Sequence, residues 1–183
     1  MTDNKIETPR LVLRPYSEQD DAADFIRMHG DAALSAHTHA KALPHAASRE
    51  LLHGYQRAFA ADGFGMYRIG LRPEGGFAGE CGLWHRADAG GYTLRYMIER
   101  KHWSLGYSFE AVEAVLAQAF EIGGVTELFA IAMQENERST RILLKAGFRV
   151  VEASFRGIDG FLHFELPRQH WLEKEAMRPG GTI

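Results

Sequence analysis

Cysteine is nearly missing from this chain of 183 residues, with Cys81 the only one. An intramolecular disulfide is therefore excluded, as is any zinc or iron–sulfur site built on several thiolates, and a reducing compartment fits. A basic excess is missing too. The formal net charge is −3, from 21 lysines and arginines against 24 acidic residues, which argues against a protein that tracks nucleic-acid phosphates. No apolar run approaches the roughly 18 residues of a membrane span, and residues 1–25 are mixed polar and charged, unlike a signal peptide. The expectation is a cytoplasmic protein that binds neither nucleic acid nor membrane. Several nucleotide motifs fail as well. Gly63-Phe64-Gly65 lacks the third glycine of the dinucleotide pattern, and neither a phosphate-loop G-K-S/T nor a G-x-S-x-G elbow is present. Without repeats, low-complexity blocks or a dividing linker, and with 45% hydrophobic residues, the expectation is a single domain over 1–183, flexible at 1–8 and 173–183.

What is present is a run of well-marked elements. Arg10–Tyr16 alternates as a first strand, with Pro15 tolerable at an edge. Ser17 stands as N-cap of a helix over 18–29, with Asp20 and Asp21 in its first turn and Gly30 ending it. Residues 31–44 read as a loop or short helical turn, and helical spacing returns over 46–61 through Leu51, Leu52, Tyr55 and Phe59. Three alternating runs, 64–72, 77–86 and 91–100, read as an antiparallel meander. From His102 a glycine-punctuated turn feeds a helix to Phe120, whose Val112, Val115, Leu116 and Ala119 make one apolar stripe. Its first turn leaves backbone N–H groups open beside Gly106, where an anion is favoured. Residues 126–133 read as a buried strand. Asn136 then caps a helix that Gly147 closes in a left-handed conformation. Strands over 148–156 and 161–167 form a hairpin across Gly157–Gly160, followed by one helical turn through Trp171 and a disordered tail from Arg178.

This order of elements resembles the GNAT superfamily of N-acetyltransferases over roughly residues 8–172. Thr8–Tyr16 resembles the first strand of the subgroup that acetylates ribosomal-protein N-terminal amines and small amines. Trp103-Ser104-Leu105-Gly106-Tyr107-Ser108 resembles that subgroup's W-G-x-G-Y-A version of the Q/R-x-x-G-x-G/A pyrophosphate loop, and Glu110-Ala111 continues it. Asn136-Glu137-Arg138-Ser139 through Lys145-Ala146-Gly147-Phe148 resembles the N-x-x-S…K-x-G-F segment. The resemblance implies an α+β fold with a largely antiparallel six- or seven-stranded sheet, splayed in the middle and flanked by about four helices. It also implies an acetyltransferase that moves acetyl from acetyl-CoA to a primary amine by direct attack in a ternary complex, as a monomer or homodimer. For the coenzyme it implies Met97 and Ile98 beside the pantetheine and Trp103, Ser104, Leu105, Gly106, Tyr107 and Ser108 at the diphosphate. Arg100 and Lys101 stand just before the loop, and Asn136 and Ser139 fall on coenzyme-contacting positions.

Acetyl transfer needs a neutral amine, a held oxyanion and a proton for the departing thiolate. Met97 or Ile98 would supply the oxyanion N–H. The family's usual tyrosine position holds Leu143, which leaves Ser139, with Tyr107 behind it, as the hydroxyl donor. Thr93 stands where the subgroup often has a glutamate, so Glu80, His85, Glu99, His163 and Glu165 are the open candidates for a base. Period-two spacing puts His163 and Glu165 on one face of the last strand, a pattern a solvated face also gives. His37-Thr38-His39 with His45 lacks partners on rigid elements, and Cys81 reads as core, so no metal and no covalent relay are expected. The missing glutamate and tyrosine also suit a different class, a catalytically impaired acyl-CoA-binding module with a regulatory or interaction role.

Overall fold

The computed structural model describes residues 4–36 and 41–178. Eight strands form one sheet in the order β1-β2-β3-β4-β5-β6-β8-β7. They are β1 (Ile6–Glu7), β2 (Leu11–Pro15), β3 (Met66–Leu71), β4 (Phe77–Arg86), β5 (Gly91–Ile98), β6 (Glu127–Met133), β7 (Arg149–Phe155) and β8 (Ile158–Pro167). Every neighbouring pair is antiparallel except β5 and β6, which run parallel and share one bridge, Thr93 with Phe129. Parallel neighbours need a crossover, and α4 (Tyr107–Ala117) supplies it, ending in a wider turn through Ile122. The other helices are α1 (Glu18–His29), the single turn α2 (Ala32–Ser35), α3 (His45–Asp62), α5 (Glu137–Ala146) and α6 (Arg168–Ala176).

The predicted stripe packs as its spacing requires. Val112, Val115, Leu116, Ala119 and Phe120 are all buried against one sheet face, with Leu94, Ile98, Leu128, Phe164 and Leu166 beneath them. Phe25 and Met28 of α1 and Leu52 and Tyr55 of α3 bury the other face over Met66 and Phe77. A bulge in β4 divides these faces. The β3–β4 register shifts between Ile69 and Gly70, and opposite it Gly79 takes φ +149°, where a Cβ would lie 2.1 Å from the Met97 carbonyl oxygen. The extra residue turns Glu80 toward α1 and α3 while Cys81 and Leu83 stay in the α4 core.

Several expectations are corrected. The sheet has eight strands rather than six or seven, and the helices number six among the described residues rather than about four. The added strand β1 pairs Ile6 with Leu13, inside the lead-in expected to be flexible. At the other end α6 runs to Ala176, well past a single turn. The hairpin turns at Arg156 and Gly157, both with positive φ, so that Phe155 faces Ile158 and Gly160 lies within β8. A two-residue turn of that hand matches the strands' twist better than the four residues the glycine pair suggested. The His37-Thr38-His39 cluster and the tail beyond Arg178 lie outside the described residues. Among the described residues no group of three or more His, Cys, Asp or Glu could hold a metal, and no helix is long and apolar enough to cross a membrane.

Candidate active site

The helix end that the sequence singles out is open. Gly106 occupies the N-cap of α4 at φ +82° with no capping side chain, and the Glu110 N–H donates to the Gly106 carbonyl at 3.2 Å to close the first turn. The N–H groups of residues 107–109 have no intrahelical partner, the condition for holding a phosphate. Ser104 holds a left-handed φ of +64° to bring the loop around. Arg10 straps this loop from β2's leading end. Its guanidinium donates to the Leu105 carbonyl at 2.8 Å and to Glu110 at 2.6 Å, and it lies 4.7 Å over the Tyr107 ring. Glu110 also accepts from the Thr8 hydroxyl at 2.6 Å and the Arg10 N–H at 3.0 Å. Burial works against its charge, yet these donors hold the Glu110 carboxyl below its ordinary value. Nothing local in the sequence marks Arg10 or Thr8 for this role.

Beyond their one bridge β5 and β6 diverge around a cavity of about 430 Å³, which extends from Trp103, Ser104 and Ser108 to Glu80. The phase of β5 settles which backbone groups face it. Glu99 N–H donates to the Ala78 carbonyl at 2.9 Å and the Met97 carbonyl points at β4. In an antiparallel pair alternate residues point the same way, so Met97 bonds to β4 and the open groups belong to Tyr96 and Ile98. The Ile98 carbonyl already accepts from the Trp103 indole at 2.7 Å. Of the two oxyanion candidates, the geometry favours the Ile98 N–H over that of Met97. Asn136 caps α5 by accepting from the Ser139 N–H at 3.1 Å, and both residues line the cavity. The Ser139 hydroxyl lies 2.7 Å from that of Tyr96, whose phenol burial pushes up. Tyr96 was not singled out by sequence, because its position depends on the strand's register.

At the far end the cavity meets Glu80, only 2% exposed. Its Oε2 accepts from the Tyr16 hydroxyl at 3.1 Å and stands 3.2 Å from His29 Nε2, while Oε1 accepts from Tyr55 at 3.3 Å. Burial raises the Glu80 proton affinity, but His29, Arg95 and the Tyr16 bond together hold it below the ordinary carboxylate value. His29 is the last residue of α1. Gly30 N–H closes that helix on the Ile26 carbonyl at 2.9 Å, and Leu43 N–H pins the His29 carbonyl at 2.8 Å. The imidazole stacks against Phe25 at 4.1 Å. The spacing of α1 revealed the helix, but not that its last side chain reaches a carboxylate 51 residues on.

Other candidates are placed elsewhere. Tyr107 packs beside Arg10 and 6.1 Å from the His102 ring, away from the cavity, so it is not a donor at the acyl centre. His163 keeps the predicted alternation of β8 but stacks on Phe129 at 5.6 Å and meets the Phe155 ring edge-on at 5.7 Å, outside the cavity lining. Glu99 is paired with Arg27 and, at 2.9 Å, with Lys101. His85 is exposed, Glu165 of β8 sits opposite Phe129 of β6, and neither candidate lines the cavity. Arg100 lies 5.7 Å over Trp103 and neither it nor Lys101 lines the cavity, whereas Arg138, 4.4 Å over the same indole, does. Cys81 is fully buried and its thiol is pushed up by that burial.

Comparison with known proteins agrees with this fold. The family described as acetyltransferase (GNAT) domain matches residues 10–149. An uncharacterized N-acetyltransferase, YoaA of Bacillus subtilis (strain 168), is 29% identical over 154 residues, 79% of this chain and 82% of its own. The acetyltransferase from Agrobacterium tumefaciens str. C58 superposes with a TM-score of 0.78 over 88% of this chain and 93% of that one, at 20% identity. Spermidine N-acetyltransferase from Vibrio cholerae, solved with CoA and spermine, gives 0.74 over 90% and 99%, at 13% identity. At such identities the two structures speak for the fold alone.

Proposed function

Since this chain belongs to the GNAT acetyltransferase family, and is therefore an acyltransferase, we propose that it transfers acetyl from acetyl-CoA to a primary amine by direct attack in a ternary complex. One observation carries the reading: a single cavity joins the open end of α4 to the buried Glu80–His29 pair through the gap between β5 and β6. The residues suit the donor. Open N–H groups from Tyr107 to Phe109, with no Cβ at Gly106, receive a diphosphate, and Tyr96 offers its strand-edge N–H and carbonyl to an amide-bearing arm, leaving the Ile98 N–H for the acyl oxygen.

The chemistry then falls to named groups. Glu80 and His29 take the proton that the amine gives up as its nitrogen bonds to the thioester carbon. The Ile98 N–H faces the carbonyl oxygen as charge develops on it. As the carbon–sulfur bond opens, the Tyr96–Ser139 hydroxyl pair meets the departing sulfur. The buried Cys81 offers no nucleophile to the cavity, which supports direct transfer over an acyl-enzyme. Thiol release from acetyl-CoA with a panel of amines tests this. Intersecting initial-rate lines are expected, with a Glu80→Gln loss of about 10²–10⁴ in kcat. Parallel lines, or coenzyme binding without turnover on any amine, would overturn it, the latter in favour of a binding module.

A further inference from the structure

Most arginines that approach the α1/α3 side of the sheet are spoken for. Arg14 donates to both oxygens of Asp21 at 2.7 Å, Arg68 reaches Asp21 at 2.9 Å, and Arg27 pairs with Asp24 and Glu99. Arg95 differs. It shares the face of Met97 by strand alternation, lines the same cavity as Glu80 and His29, and is only partly exposed. Among the described residues no carboxylate lies within ion-pair distance of it and it donates no hydrogen bond to a side chain or carbonyl. Its charge is felt at Glu80 and Tyr55 through space only. Glu80 is occupied by Tyr16, Tyr55 and His29, and Asp21 by Arg14 and Arg68, so the nearby buried anions are already partnered.

A guanidinium held partly out of water without an anion is costly unless a ligand completes it, and its planar fork suits a carboxylate. The coenzyme diphosphate is not that ligand. It belongs to the N-terminus of α4, on the face that Leu94, Tyr96 and Ile98 serve, whereas Arg95 points to the opposite face of β5. Register places Arg95 diagonally across from Glu80, since Glu80 pairs with Met97 and Gly82 with Arg95. The cavity thus presents a carboxylate–imidazole pair and a free guanidinium on neighbouring strands.

We propose that the acceptor is an amine that also carries a carboxylate, its amino end directed to Glu80 and His29 and its carboxylate gripped by Arg95. The proposal rests on the reading of this cavity as the acetyl-transfer site. It makes Arg95 a specificity residue that binds substrate and takes no part in the proton transfers.

Matched pairs that differ by one carboxylate test it: lysine against cadaverine, tyrosine against tyramine, alanine against ethylamine. In wild-type protein kcat/KM is expected to favour the carboxylated member of at least one pair by ten- to a hundredfold, the range of one charge-assisted contact. Arg95→Gln should collapse that ratio at least tenfold, mainly through the acceptor KM, and Arg95→Glu should invert it. KM for acetyl-CoA is read in the same assays. A wild-type preference for the plain amines, an equal loss on both members, or a rise confined to the acetyl-CoA KM overturns the proposal. Direct titration of the same pairs into the CoA-bound protein keeps the two readings apart. Carboxylated amines that bind through Arg95 without being acetylated would sink the transferase reading and leave the recognition standing, and failure of every carboxylated amine to bind would sink the recognition itself.

Discussion

Tyr96 and Ser139 bring two hydroxyls within 2.7 Å of each other across the cavity, from a strand and a helix that no local pattern connects. Burial pushes the Tyr96 phenol up, so it keeps its proton at neutral pH and can donate to a sulfur leaving with negative charge. The serine and tyrosine act as one hydrogen-bonded unit. Tyr96→Phe is expected to lower kcat by roughly ten- to a hundredfold with little change in the acetyl-CoA KM, because the lost bond matters most as charge develops on sulfur. Ser139→Ala should cost less, since the tyrosine remains. In the double variant the losses should fall well short of multiplying, as for groups that share one role. Steady-state kinetics on the four proteins decide it, and fully multiplicative losses would show two independent functions. Leu143 is buried where the resemblance places the family's tyrosine and offers no hydroxyl, so the proposed donor is the one from β5.

At the level of elements, the loop before α4 turns on its own Ser104 and Gly106 but is fastened from outside by the Arg10–Glu110 strap. Glu110 is held below its ordinary value, so its contribution to stability is complete above the unfolded-state value near 4.5 and fades as pH falls through the lower folded value. Glu110→Gln should therefore lower stability by about 1 kcal/mol at neutral pH, after discounting for the half-exposed Arg10. The gap to wild type should close below about pH 4.5, read as converging melting temperatures. A gap that stays constant down to pH 3 would count against the strap. The contrast with the helix ends shows what sequence reveals. Ser17 accepting from Asp20 N–H, Asn136 accepting from Ser139 N–H and Gly147 at φ +104° are contacts within a few residues, and all three were legible. Arg10 meets Glu110 across a separation of 100 residues, and Glu80 gathers partners from β2's end, α1 and α3. Such contacts depend on register and packing. Glu80 could be named as a candidate, but neither its partners nor the bulge that aims it could be. Met97 and Ile98 stay open as alternatives in the sequence for the same reason, since one residue of phase reverses which backbone groups face the cavity.

For the whole molecule, the sheet amounts to two pieces, β1 to β5 and β6-β8-β7, joined by the Thr93–Phe129 bridge and by the helices that cross from one to the other. Strand edges left open at such a join carry unpaired N–H and C=O groups, and a ligand that pairs with them links the pieces. Coenzyme A should then act as a clasp. At about 100 times its dissociation constant it is expected to add about 2.7 kcal/mol of stability, by mass action alone. The location of the effect is the sharper test. Hydrogen exchange at the Tyr96 and Ile98 amides should slow on binding by more than at Met97, whose N–H already serves β4, and by more than in β2 at the far side of the sheet. Amides 107–109 at the start of α4 should slow with them, because the diphosphate would occupy the same N–H groups. Equal slowing along the whole of β5 would mean a general stiffening of the fold. Slowing of Met97 ahead of its neighbours would reverse the strand phase on which the proposed Ile98 oxyanion contact depends.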